Sequence, residues 1–272
     1  IPLAIENNAG LRADQLEVKR VDALIGNAFN FDKTHLYYAY DQNNLAINDK
    51  PLEVVAVQQD FLFPTIYFAG KRVNKKNYNL VTTNYEIRKK ALEREVTSKY
   101  YEYLYAREKE SIYKRLDSIY TDFASKAARR FELGATTYLE KIMAQSKRRQ
   151  ITVQFEKAQK DVEIAREGLV KLVQVKGPLI IADEPILKIA LKSFVLSDSP
   201  ELHYHNNRIS LTNAMRNLEK QKLLPDISLS YFQGTNSQFN DYLYGYQLGL
   251  KIPLFFGGQS SRIKSAKIAS DV

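Results

Sequence analysis

The segment Phe63-Pro64-Thr65-Ile66-Tyr67-Phe68-Ala69-Gly70-Lys71-Arg72 recurs in outline as Ile252-Pro253-Leu254-Phe255-Phe256-Gly257-Gly258-Gln259-Ser260-Ser261-Arg262. What precedes each copy recurs as well. A helical run from about Leu3 to Gly26 leads through two alternating apolar runs to the first copy. A helix opened by Pro200-Glu201-Leu202 and reaching Lys222 leads through two more to the second. Leu11 aligns with Leu202, Leu36 with Leu229, Pro64 with Pro253 and Gly70 with Gly258, all at offsets of about 190 residues, a period that indicates a duplicated domain-sized unit.

Long charged helices lie between the copies. From Lys71 to Phe131 the chain contains neither Pro nor Gly. Apolar residues recur there at three- and four-residue steps, through Val96, Tyr100 and Leu104 and then Ile112, Leu116, Ile119, Phe123 and Ala127. This predicts one helix of about 60 residues, roughly 90 Å long at the α-helical rise. Gly134 interrupts the pattern, and Thr137-Tyr138-Leu139-Glu140 reads as a capping box for a second helix. That helix passes Leu139, Ile142, Val153, Val162, Ala165, Leu169 and Leu172 to Val175, and Gly177-Pro178 is expected to end it. The pair makes an antiparallel hairpin with its tip at residues 131–136. Its apolar stripes are thin and rich in Ala, Tyr and Val, so neighbouring helices are expected to complete their burial.

The alternating runs are cleanest in the second copy. In Asp226-Ile227-Ser228-Leu229-Ser230-Tyr231 the large apolar residues share one face. From Tyr244 to Ile252 one face carries Tyr244, Tyr246, Leu248, Leu250 and Ile252, and the other Gly245, Gln247, Gly249 and Lys251. Strands of about 9–11 residues, apolar outward and polar inward with tyrosines near their ends, are what a membrane barrel with a wet lumen requires. A soluble amphipathic hairpin produces the same alternation, but placement between long helices favours the barrel. Residues 234–240 read as a polar turn. In the first copy, Leu52 to Asp60 places Gln59 on the face that should meet lipid.

Composition sets further bounds. The 272 residues are 44% hydrophobic and 26% charged, and no stretch of about 18 uncharged apolar residues predicts a transmembrane helix. There is no cysteine, which removes disulfides and thiolate metal sites and is compatible with an envelope protein. A chain that begins at Ile1 is expected to be a mature or excised segment. The net charge of +9 could suit phosphates, yet Lys and Arg alternate with Glu across Glu86, Arg88, Lys89, Lys90, Glu93, Arg94 and Glu95. That is a solvated helix carrying ion pairs, so no nucleic-acid partner is expected.

The chain resembles a TolC-like outer-membrane efflux protein. The resemblance rests on Leu224-Pro225-Asp226-Ile227-Ser228-Leu229-Ser230 at a strand entry and on Ile252-Pro253-Leu254-Phe255-Phe256-Gly257-Gly258 at a strand exit. It rests also on Arg130-Phe131-Glu132-Leu133-Gly134 at the tip, followed by Leu139-Glu140 and Ala144-Gln145. It implies a mainly α fold with β, in which a long antiparallel helical hairpin forms part of an α-barrel tunnel and the strands belong to a membrane β-barrel. In that family two repeats each give two strands and a hairpin, and three protomers close one barrel. The implied organisation is a first repeat over 1–176, a linker or equatorial segment over 177–197, and the start of a second repeat over 198–272. The second hairpin would be cut short at Val272, so this segment is not expected to close the tunnel alone.

The resemblance further implies a passive duct in the outer membrane of a Gram-negative bacterium, with a periplasmic helical portion. Its partners would be outer-membrane lipid, a periplasmic adaptor and an inner-membrane pump of the resistance-nodulation-division type. Arg130, Leu133, Gly134 and Ala135 are the implied adaptor contacts, and Gly134 also serves simply to let the helix reverse. The tip with Tyr138-Leu139-Glu140-Lys141 resembles the heavy-metal branch, whose members serve cobalt, zinc, cadmium, copper or silver efflux. Two other readings are a type I secretion duct and a coiled-coil scaffold or adaptor with no pore; the two-faced strands speak against the scaffold.

Enzymatic readings find no support, since there is no Gly-rich phosphate loop, no His-Glu-x-x-His and no Gly-x-Ser-x-Gly. Asp183-Glu184 lies in a polar connector. No catalytic residue and no cofactor is expected. His203 and His205, spaced i, i+2, point to opposing sides of a helix, so no metal site is expected, and His35 stands alone on a strand.

Overall fold

The computed structural model describes residues 1–175, 177–182, 184–186, 199–238 and 241–271. Helices α1 (Pro2–Asn7) and α2 (Ala9–Ala23) precede a 3₁₀ turn at Gly26–Phe29 and strands β1 (His35–Leu45) and β2 (Pro51–Phe61). Then come α3 (Pro64–Glu132), α4 (Tyr138–Val173), α5 (Pro200–Gln221), β3 (Asp226–Thr235), β4 (Leu243–Lys251) and α6 (Gly257–Asp271). The chain folds as two compact units, one from residues 1–15 and 85–195 and one from 16–84 and 196–272. Helices α2 and α3 each pass from one unit into the other.

The first unit is built on the α3–α4 hairpin. Helix α3 has 69 residues, about 100 Å at the α-helical rise. It starts at Pro64, seven residues before the Pro- and Gly-free stretch, because Pro at the first helical position loses no hydrogen bond. Its core joins Leu92 and Val96 to Leu169 and Val173 of α4 and to Ala4 and Leu11 of the N-terminal helices. Towards the tip the buried line is alanine: Ala124, Ala144 and Ala158. Part of the expected stripe turns outward there, with Ile112, Ile119, Phe123, Ile142 and Val153 40–59% exposed. Two polar cross-links hold the pairing: Lys109 Nζ donates to Asp161 at 3.0 Å, and Thr152 Oγ1 to Asp117 at 2.6 Å. The hydrogen bond to Asp161 raises the Lys109 pKa above its ordinary value.

Two helix boundaries differ from the expectation. The run from Leu3 to Gly26 is broken at Asn8, whose extended backbone frees its Oδ1 to accept the Leu11 amide at 3.0 Å, an N-cap for α2. Helix α4 stops at Val173, ahead of Gly177-Pro178. Gln174 turns left-handed (φ 55°), and its side-chain oxygen accepts the Ala9 amide at 2.9 Å. The connector over 177–197 lies largely outside the described residues.

In the second unit the strands form one antiparallel sheet in the order β1-β2-β3-β4. Strands β2 and β3, far apart in sequence, meet with Ala56 opposite Phe232 and Val57 opposite Tyr231. β3 runs on to Thr235, so Gly234 and Thr235 are strand where a turn was expected, paired with Val54 and Glu53. Phe239 and Asn240 of that expected turn lie outside the described residues. The loops at this end are clasped by Asn48 and Asn236, whose amides exchange two hydrogen bonds of 3.0 Å. Asn236 is only 7% exposed, so this pairing satisfies a polar group that burial would otherwise penalise.

Helix α6 is tied to α5 through Glu219, which accepts Gln259 Nε2 at 2.9 Å and Lys222 Nζ at 2.6 Å. Partial burial pushes this carboxyl up, but the Lys222 and Gln259 hydrogen bonds outweigh it and hold it below its ordinary 4.5. A carboxyl with a depressed folded-state pKa stabilises above its unfolded value and loses that contribution as pH falls through the folded one. Glu219→Gln should therefore lower the melting temperature of the second unit at neutral pH and leave it unchanged well below pH 4.5, measured by circular dichroism. Asn236→Leu orphans the Asn48 amide, and it should cost about 1–3 kcal/mol in urea unfolding.

Candidate functional site

Two surfaces carry the residues singled out by sequence. The first is the sheet. The backbone register aligns the alternating residues of all four strands, so that Tyr246, Tyr231, Val57 and Leu36 form one row and Tyr244, Gln233, Val55 and Tyr38 the next. Leu248 with Leu229, and Leu250 with Ile227 and Phe61, continue the same face. Tyr244, Tyr246, Leu248, Leu250 and Ile252 are 60–74% exposed. Ile252 lies one residue past β4, a correction to the expected strand limit, where Pro253 removes the next backbone donor.

Gln59 falls in this apolar face, opposite Leu229. Its amide is nevertheless occupied: Nε2 donates to the Asp32 carbonyl at 2.8 Å, and Oε1 accepts Thr34 Oγ1 at 2.6 Å. The side chain turns to the loop before β1, which no alternation pattern could announce. Aromatic rings mark both ends of the face. Tyr38, Tyr40 and Tyr244 sit near the loop end, while Phe31 meets Phe61 edge-on at 5.7 Å near the helix end.

The opposite face is mixed, with small and polar residues beside Phe232, Tyr37 and Val54. Gln247, Ser230, Gln58 and His35 form one row across the four strands. Asp60 is hydrogen-bonded by Lys251, so the two charges there are paired. Glycines on β4 admit neighbours: a Cβ on Gly245 would lie 2.4 Å from the Phe232 ring, and one on Gly249 2.5 Å from Ser228 Oγ. Both residues are therefore fixed by close cross-strand approach. β1 and β4 are the outer strands, and among the described residues nothing pairs with their outer edges.

The second surface is the hairpin tip, where Arg130, Leu133, Gly134 and Ala135 come together in one turn. Gly134 has φ 70°. Its amide donates to the Phe131 carbonyl at 2.9 Å, and the Ala135 amide to the Arg130 carbonyl at 2.8 Å, the paired bonds of a Schellman motif. Arg130 Nη2 reaches the Ala135 carbonyl at 3.4 Å. Thr137 caps α4 as expected: its Oγ1 accepts the Glu140 amide at 3.3 Å, and Glu140 Oε2 accepts the Thr137 amide at 3.1 Å. Lys141 lies over the Phe131 ring at 4.8 Å, and Phe131 meets Tyr138 at 5.7 Å. The turn is therefore cross-braced, and it holds Leu133 74% exposed.

His203 and His205 lie in α5, where their spacing separates them, and His35 is in β1. Sequence reasoning missed the Asn48–Asn236 clasp. Its signal was present, since these asparagines stand at the same offset of 188 residues as Gly70 and Gly258.

No protein-family model and no curated protein matches the sequence. Solved structures do. CusC, whose structures concern folding and transmembrane channel formation, superposes with a TM-score of 0.78 at 17% identity, covering 99% of this chain and 68% of that one. The Campylobacter jejuni CmeC outer membrane channel gives 0.72 at 16%, over 99% of this chain and 64% of that one. The open-state Neisseria gonorrhoeae MtrE outer membrane channel gives 0.73 at 15%, over 99% and 66%. The chain thus has the fold of these TolC-like outer-membrane channels, mainly helical with a four-stranded antiparallel sheet. It spans about two thirds of their length.

Gly134→Val forces a β-branched residue into the left-handed region and should cost about 1–2 kcal/mol. Gly134→Asn should cost less, and hairpin melting compares the two.

Proposed function

We propose that this chain is part of the outer-membrane duct of a tripartite efflux system. The observation that carries the reading is the sheet: four registered strands with an apolar aromatic-ended face, a mixed face with paired charges, and two free edges. A lipid-embedded strand must satisfy every backbone group, which an open sheet achieves only by closing into a barrel. Copies of the same chain supply the missing strands most simply, giving a homotrimer. The rows through Tyr246 and Leu248 then meet outer-membrane lipid, and the row through Gln247 and Ser230 lines a wet lumen. The α3–α4 hairpin contributes to the periplasmic tunnel, and copies packed side by side cover Ile112, Ile119 and Val153.

The duct needs no catalytic group, because an inner-membrane pump supplies the energy and selects the cargo. The hairpin tip is the periplasmic end, where the rigid turn presents Arg130, Leu133, Gly134 and Ala135 to the adaptor. Gly134 serves twice: its left-handed backbone closes the turn, and its bare Cα leaves room for a partner's backbone.

The reading separates adjacent residues of β4. Leu248→Arg should cost about 2–4 kcal/mol near the bilayer midplane and block assembly into the outer membrane, while Gln247→Arg should assemble normally. Heat-modifiable mobility of the full-length protein from outer membranes reports both. Equal tolerance of the two changes would sink the barrel.

A further inference from the structure

Residues 121–150, the end of the hairpin, hold seven lysines and arginines against three carboxylates, a difference of +4 within a chain whose total is +9. The carboxylates are already engaged or few. Asp122 pairs with Lys126, and Glu140 is committed to the cap through Thr136 and Thr137, which leaves Glu132. Arg129, Lys147, Arg148 and Arg149 are exposed, and among the described residues no carboxylate pairs with them. Lys126, Arg130 and Lys147 line, from both helices, a groove of about 680 Å3 whose one carboxylate is the cap residue Glu140. The sheet offers no counterpart, because its mixed face pairs Asp60 with Lys251.

We propose that the hairpin end makes the periplasmic mouth of the duct electropositive, so that it admits anionic solutes (carboxylates, phosphates or sulfonates) in preference to cations. This rests on the duct reading above. Rings of like charge at a pore entrance raise the local concentration of counter-ions and set the sign of selectivity. At ~0.1 M ionic strength the field of such charges fades over about 10 Å, so the effect belongs to the mouth and is strongest at low salt. Repetition around a ring of copies multiplies the charge on each. A bare divalent metal cation would enter against this field, which sets the inference against the heavy-metal cargo suggested by resemblance.

The test is the reversal potential of the full-length protein in a planar bilayer of uncharged lipid, under an about tenfold KCl gradient at low ionic strength. Chloride should be favoured over potassium. The triple variant Lys147→Glu, Arg148→Glu, Arg149→Glu changes exposed, unpaired side chains and takes the hairpin end from +4 to −2, since each reversal removes two charges. It should assemble as the parent does, checked by heat-modifiable mobility, and shift the reversal potential towards potassium. A parent that favours potassium, or a chloride preference unmoved in the variant, overturns the inference while leaving the duct intact. Absence of any channel from an assembled protein overturns both.

Discussion

The constraint on which the rest depends is that a four-stranded sheet placed in lipid cannot keep open edges. Backbone amides and carbonyls on the outer edges of β1 and β4 have no partner among the described residues, and neither face of β1 is covered. In water such edges are a template for pairing, and in lipid each unsatisfied group costs several kcal/mol. The proposed duct reading puts the sheet in lipid. One face carries Tyr246, Leu248 and Leu250 into solvent, and the other keeps Asp60 with Lys251 and brings the Phe232 ring against Gly245. On the proposed duct reading, further strands pair with both edges.

The helical half obeys the same logic with weaker forces. A buried line of Ala124, Ala144 and Ala158 lets α3 and α4 run close together over a long distance, but it buries little apolar area. Specific polar contacts such as Lys109–Asp161 and Thr152–Asp117 then fix the pairing, while large apolar residues are left for other helices. Gln174 ties the hairpin's base to the N-terminal helices by accepting the Ala9 amide.

Much of this was legible in the sequence because its causes are local. Alternation in β4 follows from the two-residue strand period, and the Thr137–Glu140 box needs only three residues of spacing. The tip turn was legible because its left-handed position is occupied by Gly134. Most of what escaped depends on distant partners. Gln174 leaves its helix with its side chain on the Ala9 amide, 165 residues away, whereas the Asn8 cap on Leu11 is as local as the Thr137 box and went unread. Gln59 looked like a flaw in a lipid face, and its resolution lies with the Asp32 carbonyl, 27 residues earlier. The outward turn of Ile112 and Phe123 could not be read either, since a 3.6-residue stripe does not say which of two faces meets which neighbour.

The most direct measurement of the central claim is closure itself. Cysteine pairs can be introduced into this cysteine-free segment, one along His35–Leu45 and one along Leu243–Lys251, and oxidised in native outer membranes of cells making the full-length protein, with the unsubstituted protein as control. Closure in trans predicts that at least one register gives a covalent ladder ending at three subunits. Bonds only within single chains, or a ladder that ends elsewhere or continues without limit, would contradict a barrel completed by three copies.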